Sequence, residues 1–232
     1  RIRNYRPELD RTQVRTTAEG HFTRICGFDK KGDPQSPKLK GMLERSRAVG
    51  DRMSEVIEPQ AIISEYGTDC VGDGCISIEG RTFRSEKLKG ILQEKLKGVY
   101  SYLITVGEIP YDSGSIMDDF YADTWGTAFV DGVHDSLLLW AKERCGGSSH
   151  YSFGPGIFGM DIGLLKDLLQ VMDGTAIGVT LTGGGMMKPI KSSGGFFLIL
   201  EDGAVTDTVR CNECEANYKN CSFCKAGKPG CK

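Results

Sequence analysis

The stretch AIGVTLTGGGMMKPIKSSGGFFLI, residues 176–199, places a glycine-rich loop between two runs of β-branched and apolar residues. Residues 176–182 predict one strand and residues 196–201 another, because β-branched and aromatic side chains fit a pleated, half-buried surface. The loop between them offers exposed backbone N–H groups and serine hydroxyls, which suit a close approach of the backbone to a ligand. It is not a nucleotide-binding P-loop, because the chain contains no Gly-Lys-Ser or Gly-Lys-Thr sequence.

Helical and strand patterns alternate in the chain before this stretch. Apolar residues at helical spacing predict four helices: 39–57, 85–98 with Ser85 as N-cap, 115–145 ending at Gly146–Gly147, and 160–172. Residues 61–66 and 99–107 predict strands, and residues 75–83 predict a hairpin that turns at Glu79–Gly80. A second glycine-rich loop, HYSFGPGIFGMDIG, covers residues 150–163. This order predicts an α/β or α+β domain, preceded by a polar N-terminal arm over residues 1–21.

Composition and charge exclude several classes of partner. The chain has 232 residues and a net charge of −2, so bulk electrostatics favour neither nucleic acid nor an anionic membrane as partner. No apolar run approaches the roughly 20 residues that cross a bilayer. The first residues lack the apolar core of a signal peptide, so we expect a cytoplasmic protein. In a reducing compartment, clustered cysteines are more often metal ligands or redox groups than disulfides.

Five of the nine cysteines lie in the last 22 residues. Cys211, Cys214, Cys221 and Cys224 form two CxxC pairs separated by six residues. Each pair can turn two thiolates toward one metal, so the four predict a zinc site or an iron–sulfur cluster, and spacing does not separate these two. Disulfides or a redox tail are the alternative. Cys231 is a fifth candidate ligand, whereas the Cys70 and Cys75 pair at x₄ spacing is typical of ordinary loop thiols.

The three histidines do not indicate hydrolytic chemistry. His134 lies on the long predicted helix near Asp131 and Asp135, which is typical of a solvated helix face. No arrangement of serine, histidine and aspartate can be argued from the sequence, so a hydrolase is not expected.

Taken as a whole, residues 176–199 resemble the activation (reactivation) domain of cobalamin-dependent methionine synthase. The shared pattern is a strand ending in Gly-Val-x-Leu-Thr, a turn, Met-Met-x-Pro-x-Lys-Ser, and a hydrophobic strand. The loop SFGPGIFGMDI, the helix DTWGTAFVDGVHD and the strand YSYLITVG are similar to family segments, as are the opening helix, hairpin and second helix. The resemblance covers residues 22–210, in the family's order.

The resemblance implies a C-shaped α+β domain with a twisted antiparallel sheet flanked by helices, followed by a small cysteine-rich metal-binding tail over residues 211–232. It also implies a shallow groove for S-adenosylmethionine. The candidate cofactor-binding residues are Asp131, His150, Ser152, Gly154, Gly156, Lys191 and Ser192. The chain departs from the family at His150, where the family has arginine, and at Pro155, where it has tyrosine.

The function implied is a reactivation accessory for a corrinoid (vitamin B12) protein or cobalamin-binding domain. We expect the tail to hold an Fe–S cluster that passes electrons from a low-potential donor to cob(II)alamin on the partner. One alternative is a non-catalytic corrinoid-protein binding module with a structural zinc tail. Another is a methyltransferase-related activator that methylates cobalamin reductively with S-adenosylmethionine. No catalytic residue is predicted.

Overall fold

The computed structural model describes residues 2–29, 36–89, 91, 93–157 and 159–202. The helices are α1 (Arg11–Ile25), α2 (Pro37–Val56), α3 (Ile116–Cys145) and α4 (Leu165–Val171). The strands are β1 (Gln60–Tyr66), β2 (Val71–Gly72), β3 (Cys75–Ile78), β4 (Arg81–Arg84), β5 (Leu96–Thr105), β6 (Ser149–Phe153), β7 (Thr180–Leu181), β8 (Met187–Lys188) and β9 (Ser192–Leu200). None of the described helices is long and apolar enough to cross a membrane.

The main sheet has the strand order β1-β5-β9-β6, and every neighbouring pair is antiparallel. Tyr102, in the middle of β5, lies opposite Ile63 of β1 and Gly195 of β9. Two small antiparallel sheets, β2-β3-β4 and β7-β8, complete the strands. This confirms the α+β class and the antiparallel sheet flanked by helices, and it excludes the α/β alternative.

Both faces of the main sheet are buried, and each belongs to a separate core cluster. Tyr100, Tyr102 and Ile104 of β5 pack with buried residues of α1, α2 and α3. Val99 and Leu103, which alternate with them, pack with the β3–β4 hairpin and α4. The period-two alternation of a strand therefore sends neighbouring side chains to different layers. A central strand covered on both faces is apolar almost throughout, as the sequence of β5 is.

The prediction of an arm over residues 1–21 is wrong, because most of these residues belong to the fold. Asp10 caps α1 by accepting hydrogen bonds from the backbone N–H groups of residues 12 and 13. Val14, Ala18 and Phe22 are buried in the helix-side core. They recur every four residues, so they form one narrow apolar stripe on an otherwise charged helix. The overall polarity of the segment hid this stripe.

The helix α3 is the central element of the helical layer, and its predicted bounds are confirmed. It ends at Gly146, whose φ of 67° is the left-handed conformation that favours glycine at a helix C-terminus. Trp125 is fully buried, stacks on Phe22 at 4.2 Å between ring centroids, and donates its indole N–H to the carbonyl oxygen of Ser46 at 2.8 Å. These contacts hold α3 against α1 and α2.

The helix predicted over residues 85–98 is wrong. Among the described residues of this span, single 3₁₀ turns form at Glu86–Leu88 and Gln93–Lys95, and the chain enters β5 at Leu96. Leu88 and Leu96 are nevertheless buried in the cluster on the hairpin side of the sheet. The apolar spacing therefore predicted the burial of these two side chains correctly, but it predicted the wrong backbone conformation.

The two glycine-rich loops also differ from their predictions. Of the strand predicted over residues 176–182, only the two residues of β7 are extended, and a 3₁₀ turn at Gly174–Ile177 precedes them. Residues 192–195 of the predicted loop belong to β9. The loop over 150–163 begins as an edge strand, β6. A Cβ on Gly195 would collide with the carbonyl oxygen of Phe153, so glycine at this position lets β6 approach β9 closely.

Candidate functional site

Two predicted site residues lie on the same face of the edge strand β6. His150 is opposite Ile199 of β9, and Ser152 is opposite Phe197. Ile199 and Phe197 both pack in the helix-side core. Directly opposed residues of an antiparallel pair share a face, so His150 and Ser152 also face the helical layer.

The hydroxyl of Ser152 is an unusual feature of this face. Its Oγ is buried and has no hydrogen-bond partner among the described residues. A buried polar group without a hydrogen-bond partner costs about 1–3 kcal/mol of stability. Its presence therefore calls for a functional explanation. A ligand placed on this face could supply the missing hydrogen bond.

His134 of α3 approaches the same face from above the sheet. Its ring is half-buried and stands edge-on to Phe197 at 5.1 Å and to Tyr102 at 5.5 Å between centroids. The expectation of a solvated helix face at this residue is therefore wrong. We call the surface formed by His134, His150, Ser152 and Phe197 the β6–α3 face.

Gly154 and Gly156 follow β6, and both have structural reasons to be glycine. A Cβ on Gly154 would lie 2.7 Å from the carbonyl oxygen of Gly194, so a larger residue would push β6 away from β9. Gly156 has φ of 85°, in the left-handed region. Their predicted role in cofactor binding stays a prediction.

Asp131 lies on α3 but faces α1. One of its carboxylate oxygens is 3.6 Å from Nδ1 of His21. Partial burial raises the pKa of Asp131, although nearby His21 and His134 oppose the rise. Its observed contact thus belongs to the α1–α3 interface.

The pairing of His21 with Asp135 joins residues 114 positions apart and has no signal in the local sequence. Nε2 of His21 lies 2.8 Å from an oxygen of Asp135, and Nδ1 lies 2.6 Å from a guanidinium nitrogen of Arg24. Because arginine can only donate, Nδ1 accepts and the ring proton lies on Nε2, toward Asp135. Partial burial opposes ionisation of Asp135, but hydrogen bonds from His134 and His21 outweigh it, so the pKa of Asp135 is held well below its usual range.

Lys191 and Ser192 lie at the opposite end of β9 from His150. Ser192 and Ile199 are separated by seven steps along the strand, or about 23 Å at the rise of an extended chain. Lys191 Nζ is 2.7 Å from Asp123 and 3.0 Å from the hydroxyl of Thr127. The predicted site residues therefore do not form one cluster.

A cavity of about 190 Å³ lies beside Lys191. Its walls include the carboxylates of Glu108, Asp119 and Asp123 and the side chain of Ile190. Ser192 does not line it; the hydroxyl of Ser192 donates to that of Thr105 at 2.8 Å. We call this region the Lys191 cavity.

Metal binding cannot be assigned to the part of the chain that the structure describes. Within it, no group of three or more histidine, cysteine, aspartate or glutamate side chains could hold a metal ion. Cys26, Cys70, Cys75 and Cys145 do not form disulfides. The predicted ligands Cys211, Cys214, Cys221 and Cys224, together with Cys231, lie outside the described residues.

Comparison with known proteins gives a match in structure but not in sequence. No family model matches the chain, and no curated protein matches it. Among solved structures, the chain is similar to the MetH reactivation domain bound to AdoHcy, with a TM-score of 0.61 and 9% sequence identity. The match covers 90% of this chain and 83% of that domain. At this identity, the likeness establishes the fold.

Proposed function

We propose that this chain is a reactivation accessory for a corrinoid protein, with a tail Fe–S cluster that delivers an electron to cob(II)alamin. The observation that carries the proposal is the likeness of fold to the MetH reactivation domain over 90% of the chain. That likeness supports a role related to the reactivation of a cobalamin enzyme, in which the partner is a corrinoid protein or cobalamin-binding domain.

The donor set of the tail supports the electron-transfer part of the proposal. Four thiolates in two CxxC pairs, Cys211 with Cys214 and Cys221 with Cys224, fit a cubane cluster or a tetrahedral zinc ion. An Fe–S cluster supplies one-electron transfer at low potential, which zinc cannot. In the proposed reaction, a low-potential donor gives up one electron, and Co(II) on the partner is reduced to Co(I).

The last described strand, β9, ends close to the β6–α3 face. Leu200, the last residue of β9, is paired with Ser149, which directly precedes His150. Ten residues separate Leu200 from Cys211, and ten extended residues reach at most about 35 Å. The tail cysteines and the β6–α3 face can therefore act on the same partner.

A second candidate function is binding of S-adenosylmethionine or its product at the β6–α3 face. The buried hydroxyl of Ser152, without a partner among the described residues, favours it, because a ligand amine, hydroxyl or carboxylate could complete its hydrogen bonding. His150 would supply a ring nitrogen in place of the arginine that the family resemblance leads one to expect. In this second candidate function the partner is again a corrinoid protein, and S-adenosylmethionine donates its methyl group to the reduced cobalt.

The first experiment is analysis of iron, acid-labile sulfide and zinc in protein purified without oxygen. We expect iron and sulfide in near-equal amounts, with visible absorption that bleaches on reduction, and reduction of cob(II)alamin on a corrinoid protein. The variant Cys211→Ser/Cys214→Ser should lose both. The matched control Cys70→Ser/Cys75→Ser, which also removes two thiols, should keep both. One zinc per chain without colour would refute electron delivery and favour the non-catalytic binding module.

Calorimetric titration with S-adenosylmethionine and AdoHcy tests the second candidate. Binding that weakens about tenfold in Ser152→Ala, as expected for loss of one hydrogen bond worth about 1.4 kcal/mol, would support it. If the wild-type protein binds neither compound, the second candidate function is refuted, and the proposal of electron delivery is unaffected.

A further inference from the structure

The ring of His21 is held among charged groups inside the contact between α1 and α3. Its side chain is only 11% exposed. Within the part of the chain that the structure describes, the charged or titratable groups of this cluster are Arg24 on the same helix and Asp131, His134 and Asp135 on α3. His21 takes part in neither of the functions proposed above.

The two ring nitrogens of His21 make contacts of different kinds. Nε2 donates to the carboxylate of Asp135 at 2.8 Å, whereas Nδ1 accepts from the guanidinium of Arg24 at 2.6 Å. A guanidinium can only donate, so the contact with Arg24 requires a bare Nδ1 and therefore a neutral ring. A carboxylate oxygen of Asp131 is 3.6 Å from the same Nδ1, about 0.4 Å beyond the usual limit of a hydrogen bond. Nδ1 thus has a donor within hydrogen-bond distance and an acceptor just outside it.

A proton on Nδ1 would reverse the preference of His21 between these two neighbours. The charged ring repels the guanidinium of Arg24 and attracts the carboxylate of Asp131, and both forces are stronger in a buried place than in water. The bond from Nε2 to Asp135 is kept, because Nε2 donates in the neutral and in the charged ring. Since both neighbours of Nδ1 are already beside the ring, the exchange requires movement of side chains only.

We propose that His21 is a proton-operated switch in the α1–α3 contact: the neutral ring binds Arg24, and the protonated ring releases Arg24 and binds Asp131. Histidine is the side chain that commonly gains or loses a proton between about pH 5 and 8, which makes this the range to test. Asp131 and Asp135 are one turn apart on α3. Protonation therefore joins α1 to α3 by two ion pairs in place of one hydrogen bond.

Asp135 connects this switch to the β6–α3 face. Its second carboxylate oxygen accepts a hydrogen bond from Nδ1 of His134 at 3.2 Å. Partial burial opposes ionisation of Asp135, but the hydrogen bonds from His134 and His21 keep its pKa well below its usual range, so it stays ionised between pH 5 and 8. A charge that appears on His21 therefore acts on His134 through the carboxylate that they share. This inference goes beyond the proposed function and does not depend on it.

Nitrogen-15 NMR of the full chain between pH 8.5 and 5 tests the proposal, because bare and protonated ring nitrogens have different shifts. The chain has only three histidines, and the signals of His21 are those lost in His21→Gln. We expect Nδ1 of His21 to be bare at high pH and protonated at low pH. The guanidinium signals of Arg24 should change at the same midpoint, because Arg24 is released when Nδ1 gains its proton.

Two variants should move the titration midpoint of His21 in opposite directions. Asp131→Asn removes the charge that binds the protonated ring, so the midpoint should fall by about one pH unit. Arg24→Gln removes the cation that favours the neutral ring, so the midpoint should rise by about one pH unit. Asp123→Asn is the matched control, because Asp123 also lies on α3 but pairs with Lys191, and it should leave the midpoint unchanged.

Three results would overturn the proposal. The first is a ring of His21 that does not change its protonation between pH 8.5 and 5. The second is a set of Arg24 signals that stays constant while His21 titrates. The third is a midpoint that moves in the same direction in Asp131→Asn and Arg24→Gln, which would indicate a general effect of destabilisation. The first two results come from the wild-type chain, so they decide the question even if a variant does not fold.

Discussion

Replacement of Gly132 by alanine should destabilise the protein, although alanine is the better helix former. Gly132 lies in α3 where it crosses α1, and a Cβ there would be 2.7 Å from the carbonyl oxygen of Val14 and 3.3 Å from the backbone nitrogen of Ala18. Both atoms are backbone, so no side chain can rotate away and the helices must separate by roughly half an ångström. Overpacking of this kind costs about 1–3 kcal/mol, and the gain in helix propensity returns up to about 1 kcal/mol. We expect a net loss of about 1–2 kcal/mol in the free energy of unfolding.

Urea unfolding followed by circular dichroism measures this loss, and Gly20→Ala is the matched control. Gly20 lies within α1, the other helix of the same contact, and a Cβ there meets no atom within 4 Å. The same substitution should therefore raise stability by about 0.5–1 kcal/mol at this site. If Gly132→Ala is as stable as Gly20→Ala, α1 does not pack on α3 at the distance described, and the assignment of α1 to the core fails.

Three further predictions concern buried polar groups. Trp125→Phe should lower the free energy of unfolding in urea by about 1–3 kcal/mol, because it removes the 2.8 Å hydrogen bond to the buried carbonyl oxygen of Ser46. The low pKa of Asp135 contributes stability that is present above its unfolded pKa of about 3.9 and lost as pH falls through the folded pKa. The difference in urea midpoint between wild type and Asp135→Asn should therefore shrink below about pH 4, and a constant difference down to pH 3 would contradict the hydrogen bonds that Asp135 accepts from His134 and His21. Ser152→Ala should leave the urea midpoint unchanged or raise it, because no hydrogen bond among the described residues is lost; a loss above about 1 kcal/mol would reveal a structural partner for Ser152.

Local sequence patterns predicted most of the helices and longer strands correctly. The bounds of α3, the position of α2, the strands β1 and β5, and the β3–β4 turn at Glu79–Gly80 follow from periodicity and turn chemistry, which depend on neighbouring residues. Both turn residues adopt φ above zero, as a two-residue hairpin loop requires. The resemblance of the ordered segments also led to the fold that the structural comparison supports.

The tertiary structure decided which of these patterns share a layer and which side chains meet. The narrow apolar stripe of α1 is buried because α3 packs over it. The apolar spacing of residues 85–98 belongs to two 3₁₀ turns and not to a helix. Likewise, the contact of His21 with Asp135 joins residues 114 positions apart, whereas Lys191 and His150 lie at opposite ends of β9. Periodicity reports which side of an element is apolar, but the partner of that side is selected by packing across the whole chain. A candidate site assembled from motifs therefore needs the register of the sheet before its residues can be grouped.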